Sequence, residues 1–211
     1  MKYGKVFILG DSYSTFKGYI PEDYGPWYWE GGHDATDVEK VEETWWKQLI
    51  DKTDSELLLN CSWSGTTVGN TGYGGADCTE ISFIGRMKKL FEKGYFKDNQ
   101  PNTLFLFGGT NDSWACAPVG KLQYENWATE DLFQVLPAFC YLVDLLKREL
   151  PDTRIVVIVN TELSEEITKG FQEACKKFGV DCVMLEKIDK IAGHPSVVGM
   201  KKICEQIIKA V

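Results

Sequence analysis

Short, almost wholly apolar runs alternate with segments of helical periodicity along the whole chain, and this alternation constrains the fold more than any other feature. The apolar runs predict five strands, at Tyr3–Leu9, Glu56–Leu59, Thr103–Phe107, Ile155–Val159 and Asp181–Leu185. Apolar and polar residues do not alternate within them, which is typical of strands that are covered on both faces of a parallel sheet. We therefore predict a mostly parallel, five-stranded sheet.

Segments with helical periodicity follow these strands along the chain. They predict helices at Glu43–Asp51, at about Ile81–Lys93, and at Leu132–Leu150, Ser164–Phe178 and Val197–Ala210. A repeated strand–helix order favours right-handed crossovers, and hence a three-layer α/β/α sandwich of the flavodoxin-like kind. No repeat or linker divides the sequence, so we expect a single domain over residues 1–211.

The charge and the cysteine content exclude several classes of function. The formal net charge of −8 argues against nucleic acid or an anionic membrane as the main partner. No window is long and apolar enough for a membrane span, and the first apolar run is too short for a signal peptide. Seven scattered cysteines and two histidines offer no zinc-ligand spacing, so we expect no metal. These features favour a cytoplasmic protein with reduced thiols, although a leader lost from the chain would indicate secretion instead.

Polar residues and glycines follow the first three predicted strands. Gly10-Asp11-Ser12 follows the first strand, Gly65 lies after the second, and Gly109-Thr110-Asn111-Asp112 follows the third. In an open α/β sheet, ligands bind beyond the carboxyl ends of the strands, so these residues are expected at one functional edge. Each of them also has a plain structural interpretation as a turn or capping residue.

The chain has two histidines, and we interpret them differently. His194, in Gly193-His194-Pro195, follows the final predicted strand and precedes the last helix, so it is a candidate catalytic base. His33 lies in a glycine-rich loop between acidic residues, and we expect it to be solvated or at most to line a pocket. A lone histidine is more often structural than catalytic.

Together, these four blocks resemble the SGNH (GDSL-like) hydrolase superfamily, whose name gives Ser, Gly, Asn and His in that order. Here they are Ser12, Gly65, Asn111 and His194, and the resemblance extends from about residue 6 to residue 205. It implies a serine hydrolase that acts on esters or thioesters without a cofactor. Ser12 would be the nucleophile, and His194 would be the general base. The oxyanion would be held by the N–H groups of Ser12 and Gly65 and by the amide of Asn111.

One position departs from the pattern of this family. The family usually carries an aspartate three residues before the histidine, and Ile191 stands there in this chain. The nearest carboxylate is Asp189, five residues before His194, and we predict that it orients the imidazole. The alternative is that Asp189 is a solvated loop charge and that a backbone carbonyl orients the ring. Asp11 and Asp112 are expected to brace loops.

Aromatic residues give the only indication of the substrate. Four of them are predicted to bind it: Tyr13, Trp63 and Trp114, which adjoin the catalytic blocks, and Trp27, which lies in an aromatic loop over residues 14–38. Such rings stack on sugars and also line acyl pockets, so we predict an acetylated carbohydrate or another short-chain ester. A nucleotide- or phosphate-binding module and a non-catalytic carbohydrate-binding member of the fold remain open alternatives. The sequence does not decide whether the loop is a lid or a fixed wall.

Overall fold

A five-stranded parallel sheet forms the centre of the computed structural model, which describes residues 1–211. The strands are β1 (Lys5–Gly10), β2 (Glu56–Ser62), β3 (Thr103–Gly108), β4 (Arg154–Val159) and β5 (Asp181–Met184). They lie in the order β2-β1-β3-β4-β5, and every neighbouring pair is parallel. The predicted α/β fold and its five strands are therefore confirmed.

Helices pack on both faces of this sheet. They are α1 (Trp45–Lys52), α2 (Phe83–Glu92), α3 (Thr110–Trp114), α4 (Val135–Glu149), α5 (Glu165–Phe178) and α6 (Val197–Ala210). Five of the six match predicted helices, whereas α3 is a single short turn that sequence periodicity does not reveal. No helix has both the length and the apolar character that a membrane crossing requires.

Two hydrophobic cores explain why the strands are apolar throughout. Successive residues of a strand point to opposite faces of the sheet. Phe7 and Leu9 of β1 thus enter a core of 28 buried residues that includes parts of α2, α4 and α5. Val6 and Ile8 enter a second core of 23 buried residues with parts of α1 and α6. Because both faces are covered, neither face of the strand can be polar.

A small antiparallel hairpin, which the sequence patterns do not predict, precedes α6. Its strands are β6 (Lys190–Ile191) and β7 (His194–Pro195), and Ile191 is paired with His194. The two turn residues, Ala192 and Gly193, have φ angles of 47° and 79°. Positive φ at both central residues is typical of the tight turns that join hairpin strands. Alanine is strained in this region by about 1–2 kcal/mol, so the surrounding contacts must hold the turn in place.

Candidate active site

Ser12 and His194 meet at the carboxyl edge of the sheet. Ser12 begins a single 3₁₀ turn directly after β1, and the Asp11 carboxylate caps this turn by accepting a hydrogen bond from the N–H of Tyr13. His194 arrives from the hairpin, 182 positions later in the chain. The Oγ atom of Ser12 lies 3.0 Å from Nε2 of His194, and both residues are buried. This is the distance at which a hydroxyl can pass its proton to a base.

A backbone carbonyl orients the imidazole of His194. Nδ1 lies 3.2 Å from the carbonyl oxygen of Ala192. A carbonyl can only accept, so the proton of the neutral ring belongs on Nδ1, and Nε2 is left free to accept the hydroxyl of Ser12. This is the tautomer that a general base requires.

The prediction that Asp189 orients His194 is wrong for this structure. The Asp189 carboxylate accepts a hydrogen bond from the hydroxyl of Ser196. Ser196 in turn caps α6 by accepting the N–H of Gly199 at 3.1 Å. The tight hairpin turn brings the carbonyl of Ala192 to Nδ1, while Asp189 lies before the hairpin and serves the start of the helix. The alternative left open by the sequence, a backbone carbonyl, is the arrangement found.

Burial keeps His194 neutral. Desolvation is the main cause that lowers the pKa of His194 to about 4, and nearby His33 and Lys190 lower it further. The hydrogen bond to Ala192 acts in the opposite direction. At neutral pH the imidazole is therefore able to accept a proton, but the imidazolium that results is disfavoured by its surroundings.

Three groups supply the donors that the family resemblance assigns to an oxyanion: the N–H groups of Ser12 and Gly65 and the side-chain amide of Asn111. The backbone N–H groups of Ser12 and Gly65 make no hydrogen bond within the protein. Gly65 has a φ of 76° and is exposed, and a side chain added at this position would meet open space. The third donor is Asn111, whose Nδ2 donates to the carbonyl of Thr66 at 3.0 Å. Its second amide hydrogen remains for a ligand, so the set resembles an oxyanion hole.

Tyr73 fixes the orientation of Asn111 and was missed by the sequence analysis. Its hydroxyl donates to Oδ1 of Asn111 at 2.7 Å. Since the carbonyl of Thr66 holds the NH₂ end, the amide is fixed at both ends and cannot flip. The ring of Tyr73 remains 47% exposed at the tip of a glycine-rich loop. A single large aromatic between glycines in that loop is the signal that could have identified it.

Arg86, on α2, is a second residue that the sequence analysis missed. It is almost fully buried, and its guanidinium donates to the carbonyls of Gly10 and Cys61 and to the hydroxyl of Thr66. These acceptors lie at the ends of β1 and β2 and in the loop that carries Gly65. Arg86 therefore ties together the first two sequence blocks, those of Ser12 and Gly65. A lone arginine on the apolar face of a helix is the sequence signal for such a role.

Asp11 and Asp112 brace loops, as expected. Asp112 accepts hydrogen bonds from the N–H groups of Val68 and Gly69, which holds the loop after β2 against α3. Burial raises the pKa of Asp11 to about 7 and that of Asp112 to about 6. No group of three or more His, Cys, Asp or Glu side chains is arranged to hold a metal ion.

A sequence model of the GDSL-like Lipase/Acylhydrolase family matches residues 4–211. The chain belongs to the GDSL-like lipase/acylhydrolase family. Membership of this family supports hydrolase activity for the protein.

Solved structures agree with this assignment. A candidate GDSL-like lipase from Bacteroides ovatus is 41% identical, with a TM-score of 0.92 over 99% of this chain and 98% of the other. One from Bacteroides uniformis is 45% identical, with a TM-score of 0.90 over 99% and 95%. A family two carbohydrate esterase from Clostridium thermocellum shares the fold at 17% identity, with a TM-score of 0.66 over 98% of this chain and 62% of the other. None of the curated proteins compared with the chain matches it.

The aromatic residues of this GDSL-like hydrolase fall into two groups. Tyr13 is fully buried, and its hydroxyl donates to the carbonyl of Gly193, so the prediction that it contacts substrate is wrong. It supports the hairpin instead. Trp114 is 41% exposed and lies edge-on to His194, with ring centroids 5.6 Å apart, where it can reach a ligand. Trp63 is half-buried and stacks on Tyr24 at 4.3 Å.

Trp27 is also half-buried, and it lies directly on the imidazole of His194 with ring centroids 3.7 Å apart. His33 supports it from behind. Nε2 of His33 lies 3.0 Å from the carbonyl of Trp27, and its Nδ1 accepts the N–H of Ala35. His33 is therefore bound by the loop backbone on both sides, rather than being solvated or lining a pocket as expected.

The aromatic loop over residues 14–38 packs against the hairpin that carries His194. The buried Tyr28 donates from its hydroxyl to the carbonyl of Pro195, beside His194. The N–H of Trp27 donates to Oγ1 of Thr15 at 2.8 Å. The hydroxyls of Tyr28 and Tyr13 hold the strained hairpin turn against the body of the protein.

Proposed function

We propose that this hydrolase is a serine esterase that cleaves short-chain esters through an acyl-enzyme on Ser12. The observation that carries the proposal is the 3.0 Å contact between Oγ of Ser12 and Nε2 of His194. The hydrogen bond of Nδ1 to Ala192 adds the tautomer that makes Nε2 the proton acceptor.

The reaction follows from these positions. Oγ of Ser12 attacks the acyl carbon while Nε2 of His194 takes the hydroxyl proton. The oxyanion then lies among the N–H groups of Ser12 and Gly65 and the amide of Asn111. As the tetrahedral intermediate collapses, His194 returns the proton to the leaving alcohol. His194 next takes a proton from a water molecule, whose oxygen attacks the acyl carbon. As the second tetrahedral intermediate collapses, the bond to Oγ of Ser12 breaks, His194 returns the proton to Oγ, and the acid is released.

We further propose that the alcohol half of the substrate is a carbohydrate and that the acyl group is small, such as acetyl. Trp114 and Tyr73 present half-exposed rings next to His194 and Asn111, and flat aromatic faces are suited to stacking on sugar rings. The space above Gly65 is open, which leaves room for a bulky alcohol. The carbohydrate esterase from Clostridium thermocellum supports this choice through its fold alone.

The test compares the wild type with Ser12→Ala on p-nitrophenyl acetate, on longer acyl chains and on acetylated oligosaccharides. We expect the wild type to hydrolyse acetyl esters and Ser12→Ala to lose this activity. The matched control is Ser55→Ala, at the opposite end of the sheet, which should keep it. A fluorophosphonate probe adds a substrate-independent measurement, since peptide mapping should find the adduct on Ser12.

Two results would contradict the proposal in different ways. Equal rates for wild type and Ser12→Ala on every ester, with no adduct on Ser12, would exclude serine esterase chemistry. They would favour a non-catalytic carbohydrate-binding role, which titration with oligosaccharides would then measure. An adduct on Ser12 together with a preference for long acyl chains would keep the nucleophile and overturn the proposed substrate.

A further inference from the structure

We propose that the indole of Trp27, stacked on the face of His194, stabilises the imidazolium form of His194 during catalysis, a role that a triad carboxylate would otherwise have. This inference rests on the proposed function, because it requires His194 to take the proton of Ser12. It gives Trp27 a role in the reaction in addition to any contact with substrate.

The indole of Trp27 and the imidazole of His194 stack face to face. The centroids of Trp27 and His194 are 3.7 Å apart, and the ring planes are inclined by only 9°. The backbone of Trp27 is fixed at both of its polar atoms, the N–H by Thr15 and the carbonyl by His33. Its indole N–H is buried and makes no hydrogen bond in the protein. The ring face is therefore what Trp27 offers to His194.

His194 needs such a partner because no carboxylate serves it. When Nε2 takes the proton, a positive charge develops in a buried ring whose Nδ1 contacts only a neutral carbonyl. The neighbouring carboxylates are engaged elsewhere, Asp189 by Ser196 and Glu162 by Lys190 at 2.9 Å.

The other groups around the ring do not supply a negative charge either. Lys190 and His33 are bases whose charge opposes protonation of His194. Tyr13 faces it with a ring 5.4 Å away, and the hydroxyl of Tyr13 is already bound to Gly193. The π face of an indole is negative, and it attracts a cation more strongly than any other aromatic side chain. A cation held against it in a desolvated site gains stability.

A purely structural role for Trp27, as an apolar cover of His194, makes a different prediction. A cover acts through size and shape, whereas a cation–π contact acts through the electron density of the ring. Fluorine substitution on the indole withdraws this density while it changes the shape very little. Tryptophans with one, two and four fluorine atoms, incorporated site-specifically at position 27, therefore separate the two roles.

Two quantities are measured across the fluorinated series. We expect kcat for p-nitrophenyl acetate to fall stepwise, by roughly 2- to 30-fold in total, which is the range of a cation–π contact, while KM changes little. The pKa of His194, followed by NMR, should fall in parallel by the logarithm of the same factor. The chain has only two histidines, and a His33→Asn variant identifies the signal of His194.

The matched control is the same series at Trp127, a half-buried indole that packs edge-on against Tyr141 with centroids 5.6 Å apart and does not contact His194. It should change neither quantity. If wild type hydrolyses esters but kcat and the pKa of His194 are constant across the Trp27 series, the inference is overturned and the esterase assignment stands. If wild type hydrolyses no ester, the proposed function fails, and the NMR titration alone decides whether the indole stabilises the cation.

Discussion

Replacing Asp189 by asparagine tests which group orients His194. When the carboxylate of a catalytic triad becomes an amide, kcat typically falls by about 10⁴, because the histidine is held in the wrong tautomer. Here Nδ1 of His194 is bound by the carbonyl of Ala192, and Asp189 accepts only from Ser196 and not from the imidazole. The amide oxygen of asparagine can accept the same hydroxyl, so the cap of α6 persists. We therefore expect kcat to stay within about threefold.

The stability of the variant should change more clearly than its activity. A charge-assisted hydrogen bond becomes a neutral one, which costs on the order of 1 kcal/mol in the free energy of unfolding. Steady-state kinetics on p-nitrophenyl acetate and urea unfolding measure the two effects separately. Asp181→Asn, which removes an exposed partner of Arg154 far from the site, is the matched control. A fall in kcat of about 10³ or more, in a variant that remains folded, would refute the assignment of Ala192 as the orienting group.

Three further changes probe the supports of the site. Tyr73→Phe removes the hydroxyl that holds Oδ1 of Asn111, and we expect kcat to fall by about 3- to 10-fold with KM nearly unchanged. Steady-state kinetics measure this change. The comparison is Asn111→Ala, for which kcat should fall by about 10²–10³. Arg86→Met leaves several buried acceptors unpaired, so the free energy of unfolding, measured in urea, should fall by about 3–5 kcal/mol. Burial raises the pKa of Asp11 from 3.8 to about 7, so its ionisation destabilises the fold increasingly between about pH 4 and pH 7, and by a constant amount above pH 7. Asp11→Asn should therefore raise the melting temperature relative to wild type most at pH 7 and above, and by progressively less as the pH falls from 7 towards 4.

Each of these expectations has a result that contradicts it. An unchanged kcat in Tyr73→Phe would mean that Thr66 alone fixes the amide of Asn111. A normal urea midpoint for Arg86→Met would mean that water replaces the guanidinium without cost. A difference in melting temperature between Asp11→Asn and wild type that does not grow with pH would mean that Asp11 titrates near its ordinary value in the folded protein.

Hydrogen bonds to the hairpin explain how a strained turn can hold His194, the proposed general base. Ala192 has a φ of 47°, which costs energy for a residue with a side chain. Hydroxyls of Tyr13 and Tyr28 bind the carbonyls of Gly193 and Pro195, on either side of His194. The turn therefore persists because the surrounding protein over-determines it, which is common where backbone strain serves a site.

The sequence by itself determined the architecture and the composition of the candidate site. Its apolar runs are long enough and regular enough to define all five strands, because covering a strand on both faces leaves no place for polar residues. Strands of one direction end at one edge, so Ser12, Gly65 and Asn111 were expected together before any contact was known. His194 was identified through its resemblance to a family block and its position before the last helix.

Only the tertiary structure decided what orients and surrounds His194. Every residue carries a carbonyl, so no sequence signal distinguishes Ala192. Its carbonyl reaches Nδ1 of His194 because of the geometry of a two-residue turn, and the residue types in that turn do not predict this geometry. Tyr13 and Trp27 look alike in sequence as aromatic neighbours of a site, yet one is buried as a support and the other lies on the imidazole. Contacts between residues far apart in the chain depend on the packing of whole elements. The sequence therefore supplies the groups of the site, and the packing assigns their roles.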